Sequence, residues 1–172
     1  MLGGNSMLLL SFNNWSFDID LQIIHADVKL DIEGQTLIDE PLCIDVGLPA
    51  LLLSALEATE PNRWAPATEW KNMPFFICGC GDAECRGFSF VVKHLNENWL
   101  MIREVDERQD DDYRVAGEYE VLVEEYRQQV EEIGSHFLQF VHDLDYRPYL
   151  AETVEIIEAL LAKLADLRRD EA

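Results

Sequence analysis

The chain has 172 residues, 48% of them hydrophobic, with 34 acidic side chains against 13 basic ones and a net charge of −21. That length fits one domain spanning 1–172, and that apolar share can bury a core without a disulfide framework; no apolar stretch approaches the roughly 20 residues of a membrane helix. An acidic excess of this size excludes nucleic acid and anionic membrane as expected partners and favours cationic ones. The charge is unevenly spread. Residues 1–70 carry 11 acids and 2 bases, residues 71–103 carry 3 and 4, and residues 104–172 carry 20 and 7. The middle segment is a near-neutral island in an acidic chain.

The start, Met1 to Ser11, lacks a basic region, and its apolar run is too short for a secretory signal. Met7 offers a second start, and residues 1–10 read as a disordered leader, with 1–6 alternative or added. The expected location is cytoplasmic, where cysteines serve as thiols or metal ligands rather than disulfides. From Trp15 to Ile38 apolar residues alternate: Phe17, Ile19, Leu21 and Ile23 on one face, then Val28, Leu30 and Ile32 up to Glu33-Gly34. Period-two alternation predicts antiparallel strands with one wet face, and Leu37-Ile38 a short return strand. Val46 to Glu57 predicts a helix, with Pro49 tolerated in its first turn. Residues 61–74, with three prolines and two tryptophans, read as an ordered loop.

An apolar run at Phe75–Ile77, a cysteine-rich turn, a strand over Phe88–His94 and another over Trp99–Val105 predict a meander. Asp106–Asp112 reads as a charged, solvated loop. Tyr119, Val121 and Val123 alternate as a short strand. Val123, Tyr126, Val130, Ile133, Phe137, Phe140 and Leu144 then follow a helical stripe. A second helix from Pro148 carries Leu150, Val154, Ile157, Leu161, Leu164 and Leu167 on one face. Together they predict an antiparallel helical hairpin over 124–168. The fold class expected is α+β: an antiparallel sheet from the N-terminal hairpin and the cysteine meander, covered by helices.

The most improbable feature is the turn in Phe75-Phe-Ile-Cys-Gly-Cys-Gly-Asp-Ala-Glu-Cys-Arg-Gly-Phe88, with three cysteines in eight residues. Zinc prefers four sulfur or nitrogen ligands. Cys78, Cys80 and Cys85 supply three, and His94 or Cys43 is the candidate fourth. His94 lies about 23 Å along an extended strand from Gly87. A redox reading pairs Cys85 with Cys78 or Cys80, with Arg86 lowering the Cys85 pKa and Asp82 and Glu84 raising it. The third reading is a compact corner in which Gly79, Gly81 and Gly87 take left-handed angles and the thiols pack beneath it. Elsewhere, His142-Asp143 reads as surface, and His25 and Asp27 share a strand face without a nucleophile nearby. No catalytic constellation stands out.

The cysteine block, C-x-C-G-x-x-x-C-x-G between strands and followed by a Trp-led strand, resembles a diffuse group of small uncharacterised bacterial proteins. The match covers about 30 residues. The resemblance implies a bacterial, intracellular α+β protein and carries no activity or functional residues with it. The function expected first is a non-enzymatic protein-interaction domain, of the immunity or antitoxin kind, binding a basic protein partner through charge complementarity. The alternative is a metal- or thiol-dependent protein built on Cys78, Cys80 and Cys85. A third expectation is a homodimer through the C-terminal helices, using Val130, Ile133, Phe137 and Phe140.

Overall fold

A computed structural model describes residues 7–80, 85–108 and 112–170. Seven strands run in chain order across one sheet: β1 (Leu8–Asp18), β2 (Ile23–Ile32), β3 (Gln35–Cys43), β4 (Phe76–Ile77), β5 (Gly87–His94), β6 (Trp99–Asp106) and β7 (Arg114–Leu122). Every neighbouring pair is antiparallel. Three α-helices accompany the sheet: α1 (Leu48–Ser54), α2 (Val123–Val141) and α3 (Thr153–Asp170). The class is α+β, as the alternation and the C-terminal stripes predict.

The β2–β3 hairpin shows why these residues turn where they do. Ile32 faces Gln35, so the loop is the two residues Glu33 and Gly34, with φ of 54° and 81°. Two positive angles in succession make the turn whose twist matches its strands, and glycine takes its share without strain. Inward residues Ile24, Ala26, Val28, Leu30 and Ile32 then line the core.

Strand β4 is only two residues long, yet it joins the N-terminal three strands to the C-terminal three. The two halves also meet through aromatic rings and a hydrogen bond. Phe76 packs edge-on against Phe12 at 5.7 Å and Phe90 at 6.4 Å, and Tyr119 Oη donates to Gln35 Oε1 at 3.0 Å.

The edge of β1 is covered rather than left open, as a bare edge invites pairing with another chain. The Leu8 and Leu10 N–H groups donate to Glu125 Oε1 and Gln129 Oε1 of α2 at 3.1 and 2.7 Å, and Gln129 Nε2 returns a bond to the Leu8 carbonyl. On its other sides α2 meets α1 and α3. Gly134 allows that approach, since a Cβ there would lie 3.0 Å from Leu161 and 3.1 Å from Leu52. Helices α2 and α3 run antiparallel: Gly134 meets Leu161, while Glu131, one turn earlier, pairs with Arg168 further on.

Several expectations change. The helix read from Pro148 begins at Thr153, and the short return strand read at Leu37-Ile38 runs from Gln35 to Cys43. The leader read over 1–10 ends by Leu8, where β1 begins with Leu8 and Leu10 buried; residues 1–6 lie outside the described residues. The alternation read through Phe17–Ile23 is interrupted by a turn. The Asp18 carboxylate accepts from the N–H groups of Asp20 and Leu21 at 3.0 Å, which pulls the chain round and leaves Ile19 and Leu21 exposed. The helix read over 46–57 is shorter, because Gly47 caps it and it ends at Ser54. Of the four residues expected at a dimer face, Val130, Ile133 and Phe137 are buried within the chain and Phe140 is half-buried. Of the acidic run Asp110-Asp111-Asp112, the first two lie outside the described residues.

Candidate metal centre

The cysteine turn is rooted in the core at both ends. Phe76 is 1% exposed and Ile77 0%, which fixes the chain just before Cys78. Phe76 faces Phe88 and Ile77 faces Gly87 across the β4–β5 pair, and the Cys78 N–H donates to the Arg86 carbonyl at 2.7 Å to close the loop. Two polar contacts then tie the loop to the N-terminal strands. The Arg86 guanidinium pairs with Glu40 of β3 and lies over the Phe88 ring at 5.6 Å. On β2, His25 Nε2 lies 2.6 Å from the carbonyl oxygen of Gly79, the residue between the first two cysteines.

This frame brings the Sγ atoms of Cys78, Cys80 and Cys85 within 4.8 Å of one another, as free thiols. Sulfurs bound at 2.3 Å around one tetrahedral ion stand about 3.8 Å apart, so the three need little rearrangement to share a soft metal ion. Their protons are unequally held. Cys78 is held below the ordinary thiol range, chiefly by the Cys80 backbone N–H, then by hydrogen bonds from the Cys80 and Cys85 side chains, with Arg86 adding positive charge. Cys85 is pushed up to about 11, first by its hydrogen bonds to Cys78 and Cys80, then by their charge. Cys78 therefore gives up its proton more readily than Cys85. Metal binding would displace the protons that remain.

The candidate fourth ligands lie elsewhere. Cys43 is fully buried, and its thiol donates to Asp45 Oδ1 at 3.2 Å. His94 sits at the far end of β5 with Nε2 2.9 Å from the Ser54 carbonyl. Neither belongs to the triad, because β3 turns the Cys43 side chain inward and β5 carries His94 away from the turn. His142, beside Asp143, is exposed on the outside of the helix pair. The residue that sequence reasoning missed at this site is His25. Its alternation placed it on a strand face, but only the register, His25 opposite Cys43 and Cys43 opposite Ile77, carries it next to the turn.

The glycines act differently from the expectation. Among the described residues the one glycine with positive φ is Gly34, so neither Gly79 nor Gly87 is there for a left-handed angle; Gly81, Asp82 and Glu84 lie outside the described residues. A Cβ on Gly87 would lie 3.1 Å from the Arg63 guanidinium, whereas one on Gly79 would rest at 3.5 Å from the His25 ring.

A second cluster of chemistry-bearing groups lies beneath. Asp45, 2% exposed, accepts from the Ile24 N–H at 3.2 Å, the Cys43 thiol at 3.2 Å and Tyr146 Oη at 2.5 Å. Burial raises its carboxyl above the ordinary carboxylate range, and burial first, then the nearby carboxylate, raises the Cys43 thiol and the Tyr146 phenol. These are protonated donors around a desolvated acceptor. They join the α2–α3 connection to β2 and β3.

No protein-family model matches this chain, and no curated protein or solved structure matches it either. Among the described residues, no helix is long and apolar enough to cross a membrane.

Proposed function

We propose that this is a metal-binding protein whose centre is the β4–β5 turn, with Cys78, Cys80 and Cys85 as thiolate ligands and zinc as the ion. The observation that supports the reading is the convergence of three sulfurs within 4.8 Å on a loop anchored to two other strands, β2 and β3. Thiols packed together in water gain little from one another, whereas a soft divalent ion gains from all three. Cys80 and Cys85 are exposed, so an ion can reach the site without the fold opening. The test is metal content per chain on protein purified without chelator or nickel, with a native thiol count. About one zinc per chain with Cys78, Cys80 and Cys85 shielded from alkylation is the expected result. Metal-free protein that stays metal-free when zinc is added would refute the reading.

A second reading keeps the acidic surface as the working part, as a non-enzymatic domain of the immunity or antitoxin kind facing a basic protein partner. It is favoured by the outward side chains Glu118 and Glu120 on β7, Glu124 and Glu132 on α2, and Glu155 and Glu158 on α3, all exposed. Capture of a basic protein whose binding weakens steeply with salt would support it, and salt-insensitive binding would count against it.

A further inference from the structure

Strand β7 ends the sheet, and its outer side is built differently from that of β1. Helix α2 leaves the end of β7 but places Glu125 and Gln129 on the edge of β1. At the other edge, the Val123 N–H donates to the Asn98 carbonyl at 2.9 Å. Hydrogen-bonded and non-bonded pairs alternate along an antiparallel ladder. In the register that follows, Leu122 opposite Trp99, Glu120 opposite Met101 and Glu118 opposite Arg103 are therefore the non-bonded pairs. The backbone N–H and C=O groups of Glu118, Glu120 and Leu122 point away from β6, and among the described residues no group takes them up. Such a row is a template for a further strand. The side chains say of which kind. Glu118 and Glu120 are exposed on one face of β7 with Leu122 half-buried beside them, while Tyr119 and Val121 alternate onto the other. A strand laid along this edge sets every second residue beside the two carboxylates and the intervening ones beside Tyr119 and Val121. Opposite charges and apolar side chains are the stabilising cross-strand neighbours there. We propose that β7 is the docking edge for an extended segment of a basic protein, in which lysine or arginine alternates with apolar residues. The proposal rests on the second reading above, in which a basic protein is the partner.

The charges along the edge are unequally engaged. Arg103 of β6 pairs with Glu118 at 2.9 Å, whereas Glu120 has no ion pair among the described residues. Past Leu122 the edge runs into a groove lined by Glu97, Glu124 and Arg127, and the Arg127 guanidinium is bonded to the Ala55 carbonyl. A second copy of this chain is a poorer occupant. In the register that overlaps the whole of β7, Glu118 faces its own counterpart with Glu120 diagonal to it, and like charges so placed oppose pairing. A net charge of −21 on each copy adds to that repulsion.

The probe is a synthetic peptide alternating lysine with valine; its control alternates lysine with glycine at the same length and charge. Binding to the full chain is followed by fluorescence anisotropy, and amide hydrogen exchange is read residue by residue by NMR. The valine peptide should bind and slow exchange at Glu118, Glu120 and Leu122 together, and the glycine peptide should bind more weakly. Raising salt from about 0.1 to about 1 M cuts the screening length from about 10 to about 3 Å and should weaken binding about tenfold. Glu120→Lys should weaken it about tenfold as well. Asp143→Lys, the same charge change on an exposed residue beyond α2, should have far less effect. Leu122→Pro leaves the net charge alone, suits the native φ of −72° and removes one outward N–H, so binding should fall about fivefold. The amide map needs no substitution, so the test stands even if that variant fails to fold. Salt-sensitive binding without slowed exchange on β7, or equal losses in Glu120→Lys and Asp143→Lys, overturns the docking edge and leaves the acidic-surface reading standing. Binding at β7 that salt leaves unchanged overturns the basic occupant and that reading with it, and so does no binding of either peptide at low salt. A chain that sediments as a dimer with its β7 amides already protected puts a second copy on the edge and overturns the proposal.

Discussion

Cys43 ends β3 and Cys78 follows directly on β4, the strand paired with it, yet their sulfurs face opposite conditions. Cys43 is wholly buried beside the Asp45 carboxyl, with its thiol spent as a hydrogen-bond donor and its pKa raised by burial and by the neighbouring negative charge. Cys78 stands at the mouth of a loop, receives a backbone N–H and two thiol hydrogens, and is held below the ordinary thiol range. The same side chain is inert in one place and poised in the other. The difference lies in what each sulfur faces: an acceptor in an apolar interior, or donors near water. The buried cluster holds the α2–α3 connection onto the sheet; the turn presents its sulfurs outward.

The sharpest way to break this contrast is through glycines. A Cβ on Gly47, two residues after Asp45, would lie 2.2 Å from the carbonyl oxygens of both Pro74 and Phe75. Backbone cannot yield as a side chain does, so Gly47→Ala should cost about 3 kcal/mol by chemical denaturation. Gly79→Ala in the turn should cost under about 1 kcal/mol. Comparable losses would mean that the turn is as tightly packed as the buried cluster.

Next in size is the tyrosine that serves Asp45. Tyr146→Phe removes the 2.5 Å donor from a buried carboxyl and should cost about 1–3 kcal/mol, read from the denaturant midpoint. Asp45 itself should leave a pH signature. Its folded carboxyl lies above the ordinary 3.8, so the folded chain binds its proton more tightly than the unfolded one. That contribution is fully present below the unfolded value and is lost as pH rises through the folded value. Asp45→Asn removes the titration. The stability of the native chain relative to this variant should therefore be greatest in acid and decline as pH rises; a flat difference would show that the carboxyl is not perturbed.

The smallest perturbation is chemical labelling without any mutation. Native alkylation should modify Cys78 at the lowest pH and bring Cys85 up only toward about 11, while leaving Cys43 untouched until the chain unfolds. Early labelling of Cys43 would erase the distinction between the two regions.

Much of this was legible in the sequence. Period-two runs such as Val28, Leu30 and Ile32, and the spacing of Tyr126, Val130, Ile133 and Phe137, report burial on one face directly, so strands and helices follow from them. The three cysteines are close in sequence, so their convergence needed only a turn. Contacts set by long-range register were not legible. His25 and Gly79 are 54 residues apart, and nothing in either segment announces the other until β2, β3 and β4 lie side by side. The same holds for the burial of Cys43, which depends on β2 and β4 pairing on either side of it, whereas its bond to Asp45 is local. Asp18 misled in a different way, because local hydrogen bonds from its carboxylate overrode an apolar alternation that looked continuous.

The most direct test is a cadmium titration of the reduced chain, read by the ultraviolet thiolate-to-metal band, in the native protein, Cys80→Ser and Cys43→Ser. The expected result is one tight equivalent of sulfur-bound cadmium in the native chain, unchanged affinity in Cys43→Ser, and a loss of at least tenfold in Cys80→Ser, about 1.4 kcal/mol. No thiolate band in the native chain, or an equal loss in Cys43→Ser, would contradict a metal centre at the turn.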